Sequence, residues 1–248
     1  MTNISKQASR KALETRKNAG ISPVAPLDIW KLLQDVQISL IKEPLESEIS
    51  GLFLRKGSSE VILVNTNNTL GHQNFTAAHE YFHLKFNPEL KNRVCVAGQF
   101  SPKNILEQEA DYFAAYLLAP DEAINYFLGR RFNWKPKKLS LSNIIDAEQY
   151  FGMSHHAMLV RLVQTGWIGE QEAEQFKENI IRNARELGYD AVLYRPTSER
   201  RVVSDYVEKA RIALEHGLIT EGKFNELLLE AGLGDLLFSE EEDAEVPF

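Results

Sequence analysis

The chain has 248 residues, of which 44% are apolar and 25% charged, an ordinary composition for one large globular domain or two small ones. The formal net charge of -7 argues against a general nucleic-acid coat, although a local basic patch stays compatible with it. The single cysteine, Cys95, excludes an internal disulfide and favours a cytoplasmic location, and no apolar run predicts a signal peptide or a membrane span.

The first part of the chain predicts two helices and a small antiparallel sheet. Residues 5–17 are rich in lysine and arginine and predict a basic helix, whose charged side we interpret as a solvated face rather than a binding surface. A short helix is expected from Pro26 to Leu33. Apolar runs predict three strands, at 36–41, 51–54 and 61–64.

A helix expected to begin near Thr69 and to end at Asn87 contains the sequence His79-Glu80-x-x-His83. Two histidines one helical turn apart point the same way, and together they can bind one Zn²⁺ at about 2.0–2.1 Å each. Glu80 is placed to act as the general base of a metal-dependent hydrolase. The alternative interpretation is an amphipathic helix that carries two histidines without a metal.

A hydrolytic zinc site needs a third protein ligand, which a later helix is expected to supply. That helix is predicted to begin at Ser101 and to end at Leu118. Glu107 and Glu109 flank its apolar side, and periodicity does not choose between them. Asp111 favours Glu107, because it follows by one turn and could accept a hydrogen bond from a ligating histidine.

The sequence predicts that the second half of the chain is helical. Residues 142–164 have the outline of a helix-turn-helix, for which we favour packing or substrate docking over direct reading of DNA. Residues 130–138 are basic and could contact a phosphate backbone, an acidic partner or only solvent. Further helices are predicted at 170–187, 204–216 and 220–233, with an extended link at 189–194 and an acidic, disordered tail at 239–245.

Several of these segments together resemble the ImmA/IrrE family of zinc metallopeptidases over roughly residues 26–166. The resemblance is carried by the string from Phe75 to His83, by residues 107–120, and by Ser50-Gly51, Val64-Asn65 and residues 139–162. It implies that His79, His83 and Glu107 are the zinc ligands and that Glu80 is the catalytic glutamate. Many relatives have a small residue where Phe82 stands, and Tyr81 is bulky too, which predicts a narrower cleft.

The resemblance also implies an endopeptidase that cleaves a transcriptional regulator of the helix-turn-helix type, in a stress, phage, mobile-element or toxin–antitoxin switch. Many relatives carry an additional DNA-binding module at the N-terminus, and here we expect such a module to be a separate protein. Candidate donors to the oxyanion are Tyr112, Tyr116, His155 and Arg161, which the sequence does not rank. The competing functions are a non-catalytic zinc-binding partner of a helix-turn-helix protein and a DNA-binding regulator, and no membrane partner is expected.

The sequence therefore predicts a mostly helical α+β fold with a small antiparallel sheet packed on the helix of the two histidines. We expect a zincin-like metallopeptidase domain at 1–138 and a helix-turn-helix-like segment at 139–188. A small helical accessory unit is expected at 189–238, and an acidic disordered tail at 239–248.

Overall fold

The computed structural model describes residues 2–56, 59–95, 104–134, 138–203 and 206–231. Helices predominate and pack around one small sheet, which confirms the mostly helical α+β class. The helices are α1 (Asn3–Asn18), α2 (Ile29–Asp35), α3 (Leu70–Phe86), α4 (Ile105–Leu118), α5 (Asp121–Arg131), α6 (Leu141–Phe151), α7 (His155–Gln164), α8 (Glu170–Gln175), α9 (Ile180–Glu186), α10 (Tyr206–Glu215) and α11 (Glu221–Glu230). No helix in the described part of the chain is both long and apolar enough to span a membrane.

The sheet is mixed, so the expectation of an antiparallel sheet is wrong for one strand pair. Its strands are β1 (Ser39–Glu43), β2 (Gly51–Lys56), β3 (Ser59–Asn65), β4 (Asn92–Cys95) and β5 (Arg201–Val203). The spatial order is β4-β2-β3-β1-β5, in which β1 and β3 are parallel and the other pairs are antiparallel. Because β2 runs opposite to β1 and β3 turns back beside β2, β3 runs in the same direction as β1.

The side chain of Asn65 fixes the loop that connects β1 to β2. Its amide donates to the main-chain carbonyl of Ile49 at 2.8 Å, and its oxygen accepts from the Leu45 N–H at 3.0 Å. Asn65 is buried, so these bonds satisfy polar groups that water does not reach. The loop from β1 to β2 is thereby fixed at the end of β3.

Helix α3 lies between the sheet and α4, and every residue from Thr76 to Leu84 is buried. A helix that is buried on all sides belongs to the core, and this explains its run of aromatic and small residues. It begins after Thr69 and ends before Asn87, as predicted. Helix α4 begins at Ile105, where the side chain of Asn104 accepts from the first free N–H groups, and the predicted start at Ser101 lies outside the described residues.

Helix α1 packs against α4, so its basic side is only partly solvated. Lys6, Arg10 and Lys17 are exposed, as predicted. Arg16 is 1% exposed and donates to the main-chain carbonyls of Leu117 at 2.7 Å and Ser22 at 2.9 Å, and also to Ala25. For Arg16 the expectation of a solvated side chain is therefore wrong.

Helices α6 and α7 form the predicted helix-turn-helix outline, and Ser154 caps α7. The single helix expected at 170–187 is wrong, because Asn179 adopts a left-handed conformation between α8 and α9. The link expected to be extended contains a 3-10 turn at Val192–Tyr194. The predicted boundaries at 138, 188 and 238 stay predictions, and the acidic tail lies outside the described residues.

Candidate metal centre

Three side chains from α3 and α4 converge in the core of the molecule. His79 and His83 are 1% and 0% exposed and lie one turn apart on α3, as the spacing predicts. Nε2 of His79 lies 3.1 Å from the Glu107 carboxylate and 3.2 Å from Nε2 of His83, which itself lies 3.3 Å from Glu107. One ligand atom from each residue fits within 4.8 Å of the others, a spacing that can hold a metal ion.

The hydrogen bonds at Nδ1 of the two histidines determine whether each Nε2 atom carries a proton or a lone pair. Nδ1 of His79 donates to Asp111 Oδ1 at 2.9 Å, which is the contact expected of Asp111. Nδ1 of His83 donates to the side-chain oxygen of Asn87 at 2.9 Å. A neutral imidazole with its proton on Nδ1 presents a lone pair at Nε2. Two lone pairs and a carboxylate thus face one point, which fits a cation and the donor set of a catalytic zinc site.

Of the two glutamates that periodicity left open, Glu107 lies at the site. Burial alone would raise the pKa of Glu107, but the adjacent imidazoles of His79 and His83 hold this pKa well below its ordinary value. Glu107 is therefore a carboxylate, the form that binds metal. Glu109 instead pairs with Lys11 of α1, at 2.7 Å between the carboxylate oxygen and Nζ.

Glu80 is completely buried between α3 and the sheet. The start of β2 approaches it so closely that a Cβ at Gly51 would lie 3.5 Å from Glu80 Oε1 and 2.5 Å from the Thr76 side chain. Glycine is required at this point because a larger residue would push the strand away from α3. The Gly51 backbone thus forms part of the wall beside the carboxylate that the sequence predicts as general base.

Tyr81 and Phe82 do not narrow a cleft, and that expectation is wrong. Phe82 is fully buried, with its ring centroid 5.3 Å from those of Phe86 and Phe113. Tyr81 is also buried and packs on Phe113, and burial raises the pKa of its phenol. Both rings pack on Phe113 of α4 and belong to the core.

The four candidate oxyanion donors differ in their surroundings. Tyr116 is buried, with its hydroxyl 2.8 Å from Ser5, and Arg161 lies over its ring while binding the carbonyl of Ala119. Both ring nitrogens of His155 are bonded, to Glu148 at 2.5 Å and to the Phe176 carbonyl at 2.9 Å. Tyr112 is half-buried and lines a cavity next to Asp111. These contacts make Tyr116, Arg161 and His155 packing residues. Among the four candidates, Tyr112 is the one for which the donor role stays a prediction.

Sequence reasoning missed two side chains near the histidines. Asn87 was interpreted only as the end of α3, although it follows His83 at the same four-residue spacing that links the two histidines. His72 lies on α3 with Nε2 at 3.1 Å from the Ser50 hydroxyl, and burial lowers its pKa. The periodicity of α3 could have indicated His72, because it is seven residues before His79 and shares its face.

Arg131 and Trp134 belong to the basic stretch at 130–138, and neither is among the residues that could hold the metal. Arg131 forms an ion pair with Asp146, and Trp134 is 65% exposed. Residues 135–137 lie outside the described residues. Whether this stretch binds a partner stays a prediction.

Two histidines one turn apart on a buried helix and a carboxylate from the next helix form an arrangement typical of metal-dependent hydrolases. Residues 33–163, more than half of the chain, match the peptidase family of the IrrE N-terminal-like domain, and the chain belongs to this family. The match runs from α2 to α7 and includes every residue of the site. No curated protein sequence matches the chain significantly.

Proposed function

We propose that the protein is a zinc-dependent endopeptidase that cleaves a transcriptional regulator of the helix-turn-helix type. The observation that carries the catalytic part is the convergence of acceptor atoms from His79, His83 and Glu107 beside the buried Glu80. A binding module without catalysis would need no carboxylate next to the metal ligands. The membership in a peptidase family supports the same conclusion.

Each residue of the site has a distinct role in this proposal. His79, His83 and Glu107 hold the zinc, which when bound would polarise the scissile carbonyl and make water more acidic. Asp111 and Asn87 fix the two imidazole rings through their Nδ1 protons, so the Nε2 atoms are positioned before metal arrives. The Phe53 ring, stacked on His83 at 5.8 Å between centroids, restrains it further. Glu80 accepts the proton of the attacking water and returns it to the leaving amine.

The choice of substrate rests on the family resemblance and on how α6 and α7 are placed. The amide of Asn74 on α3 donates to the Gly152 carbonyl in the turn between α6 and α7 at 2.8 Å. His155, at the start of α7, is held by Glu148 and Phe176. Both contacts favour a packing or docking role over insertion into a DNA groove. The single cysteine supports a reducing cytoplasmic setting, and a stress or mobile-element switch is the biological context we propose.

Cleavage of the helix-turn-helix protein encoded in the neighbouring reading frame tests this proposal. The zinc-loaded wild type should convert that protein to two fragments, and Glu80→Gln should retain zinc but lose cleavage. His79→Ala should lose both zinc and cleavage, whereas the control Glu109→Gln should keep both.

Two outcomes contradict the proposal. Equal cleavage by wild type and Glu80→Gln would remove Glu80 from the mechanism. An uncut partner, together with salt-dependent binding of the protein to duplex DNA, would instead favour a DNA-binding regulator.

A further inference from the structure

A cavity lies between α3, α4 and α7, directly beside the candidate metal centre. Phe75 of α3, Ala115 of α4, and Ala157 and Val160 of α7 form its apolar walls. His72 and Asp111 are polar residues that also line it. Tyr112, the remaining candidate oxyanion donor, also lines the cavity, and Asp111 holds His79, whereas the apolar wall residues have no role in the chemistry proposed above.

Asp111 connects the cavity to the metal centre. This side chain lines the cavity and also accepts the Nδ1 proton of His79 at 2.9 Å, while Nε2 of His79 faces Glu107. One carboxylate and one imidazole ring therefore separate the cavity from the point where the ligand atoms converge. Because only these two side chains intervene, a substrate residue whose side chain fills the cavity would lie close to the scissile bond in the substrate sequence.

The wall contributed by α7 is held firmly in place. A Cβ at Gly71 of α3 would lie 2.6 Å from the main-chain nitrogen of Ser154, so the start of α7 touches α3 without an intervening side chain. Asn74 binds the preceding turn at Gly152, and His155 is bonded at both ring nitrogens. A pocket with fixed walls can discriminate between side chains by size.

The cavity has the size and chemistry of a pocket for one side chain. The space open to the centres of water molecules is about 70 Å³. Since one water needs about 10–15 Å³ by this measure, roughly five to seven water positions are available. That is too little for a folded segment and enough for a large aliphatic or aromatic side chain, which apolar walls would favour.

We propose that this cavity binds one large apolar side chain of the polypeptide substrate next to the scissile bond and so determines the sequence preference of cleavage. The helix-turn-helix-like segment thereby has a specific task, because Ala157 and Val160 of its second helix supply half of the apolar wall. The inference rests on the proposed peptidase function for its place in catalysis. Occupation of the cavity by an apolar side chain can be measured without any cleavage.

The binding experiment uses methyl NMR of the zinc-loaded protein titrated with N-acetyl-leucine amide or N-acetyl-glycine amide. The leucine probe should shift the methyl signals of Ala115, Ala157 and Val160, and the glycine probe should not. Ala115→Leu fills the cavity and should abolish the shifts at the other two residues, as should Ala157→Leu if the first variant does not fold. The control Ala213→Leu changes a half-buried alanine of α10 that does not line the cavity and should leave the shifts intact.

The cleavage experiment uses a library of peptides prepared by digesting a proteome, and the cleaved fragments are identified by mass spectrometry. Leucine should exceed alanine by about fiftyfold in kcat/KM at one fixed position, from about 0.8 kcal/mol for each of three buried carbons. Ala115→Leu should reverse that preference towards small residues at this position only.

The two experiments together distinguish failure of the proposed pocket from failure of the proposed peptidase function. Leucine binding without cleavage would retain the pocket and refute the peptidase. Cleavage with the same preference in wild type and Ala115→Leu would refute the pocket and retain the peptidase. Absence of both binding and cleavage would refute both.

Discussion

Replacing Asp111 by asparagine tests whether the hydrogen bond behind His79 prepares this histidine for metal. Asp111 is 5% exposed and its Oδ1 lies 2.9 Å from His79 Nδ1. The amide has nearly the same shape but no charge, and it can still accept the Nδ1 proton through its oxygen. The substitution therefore weakens the partner of His79 without leaving a cavity.

Partners of this kind contribute about 10- to 100-fold to metal affinity. Since the amide oxygen still accepts, Asp111→Asn should raise the zinc Kd by about tenfold, equivalent to about 1.4 kcal/mol. Asp111→Ala removes the acceptor entirely and should approach a hundredfold increase, about 2.7 kcal/mol. The order of the two variants follows from the number of acceptor atoms left.

Competition with a chromophoric zinc chelator at fixed pH measures the Kd, and circular dichroism checks that each variant is folded. Glu109→Gln is the matched control, because it makes the same carboxylate-to-amide change on the same helix but affects only the pair with Lys11. Its zinc Kd should equal that of the wild type. An unchanged Kd for Asp111→Ala, or an equal loss in Glu109→Gln, would refute the assigned role of Asp111.

Three further predictions concern stability and are measured by thermal or urea unfolding. With zinc at about 100 times its Kd, binding adds about 2.7 kcal/mol, so chelation should lower Tm by about 5–10 °C in the wild type and by nothing in His79→Ala. Arg16→Ala leaves three main-chain carbonyls without their donor and should cost about 3–5 kcal/mol, whereas the exposed Arg10→Ala should cost less than about 0.5 kcal/mol, and similar losses would contradict the buried role. Gly51→Ala brings a methyl to 2.8 Å from a main-chain carbonyl and should cost about 1–3 kcal/mol. Gly222→Ala meets open space and should be neutral or slightly stabilising, so equal effects would refute the close approach at Gly51.

The parts of the site that lie one turn apart on one helix were predictable from sequence. The spacing of His79 and His83 places both on one side of α3, and the spacing of Glu107 and Asp111 does the same on α4. Periodicity alone left Glu109 open, and the spacing of Asp111 favoured Glu107, but the packing partner of Glu109 is tertiary information. Only the packing of α1 on α4 shows why the second glutamate turns to Lys11.

The fold was predictable as a set of elements but not as an arrangement. Apolar runs indicate strands, yet nothing in them states that β3 inserts between β1 and β2, because that order arises from pairing between distant segments. The edge strands β4 and β5 are four and three residues long and give too short a pattern to detect. The break at Asn179 was missed because the flanking residues favour one continuous helix, and the cavity was missed because three separate helices form it.

Diffraction at the zinc absorption edge, from crystals of the zinc-loaded protein, tests the metal centre most directly. One strong anomalous peak is expected between Nε2 of His79, Nε2 of His83 and the Glu107 carboxylate, about 2.0–2.2 Å from each ligand atom. A peak at another place, or no peak among these three side chains, would contradict the site on which the proposed peptidase depends.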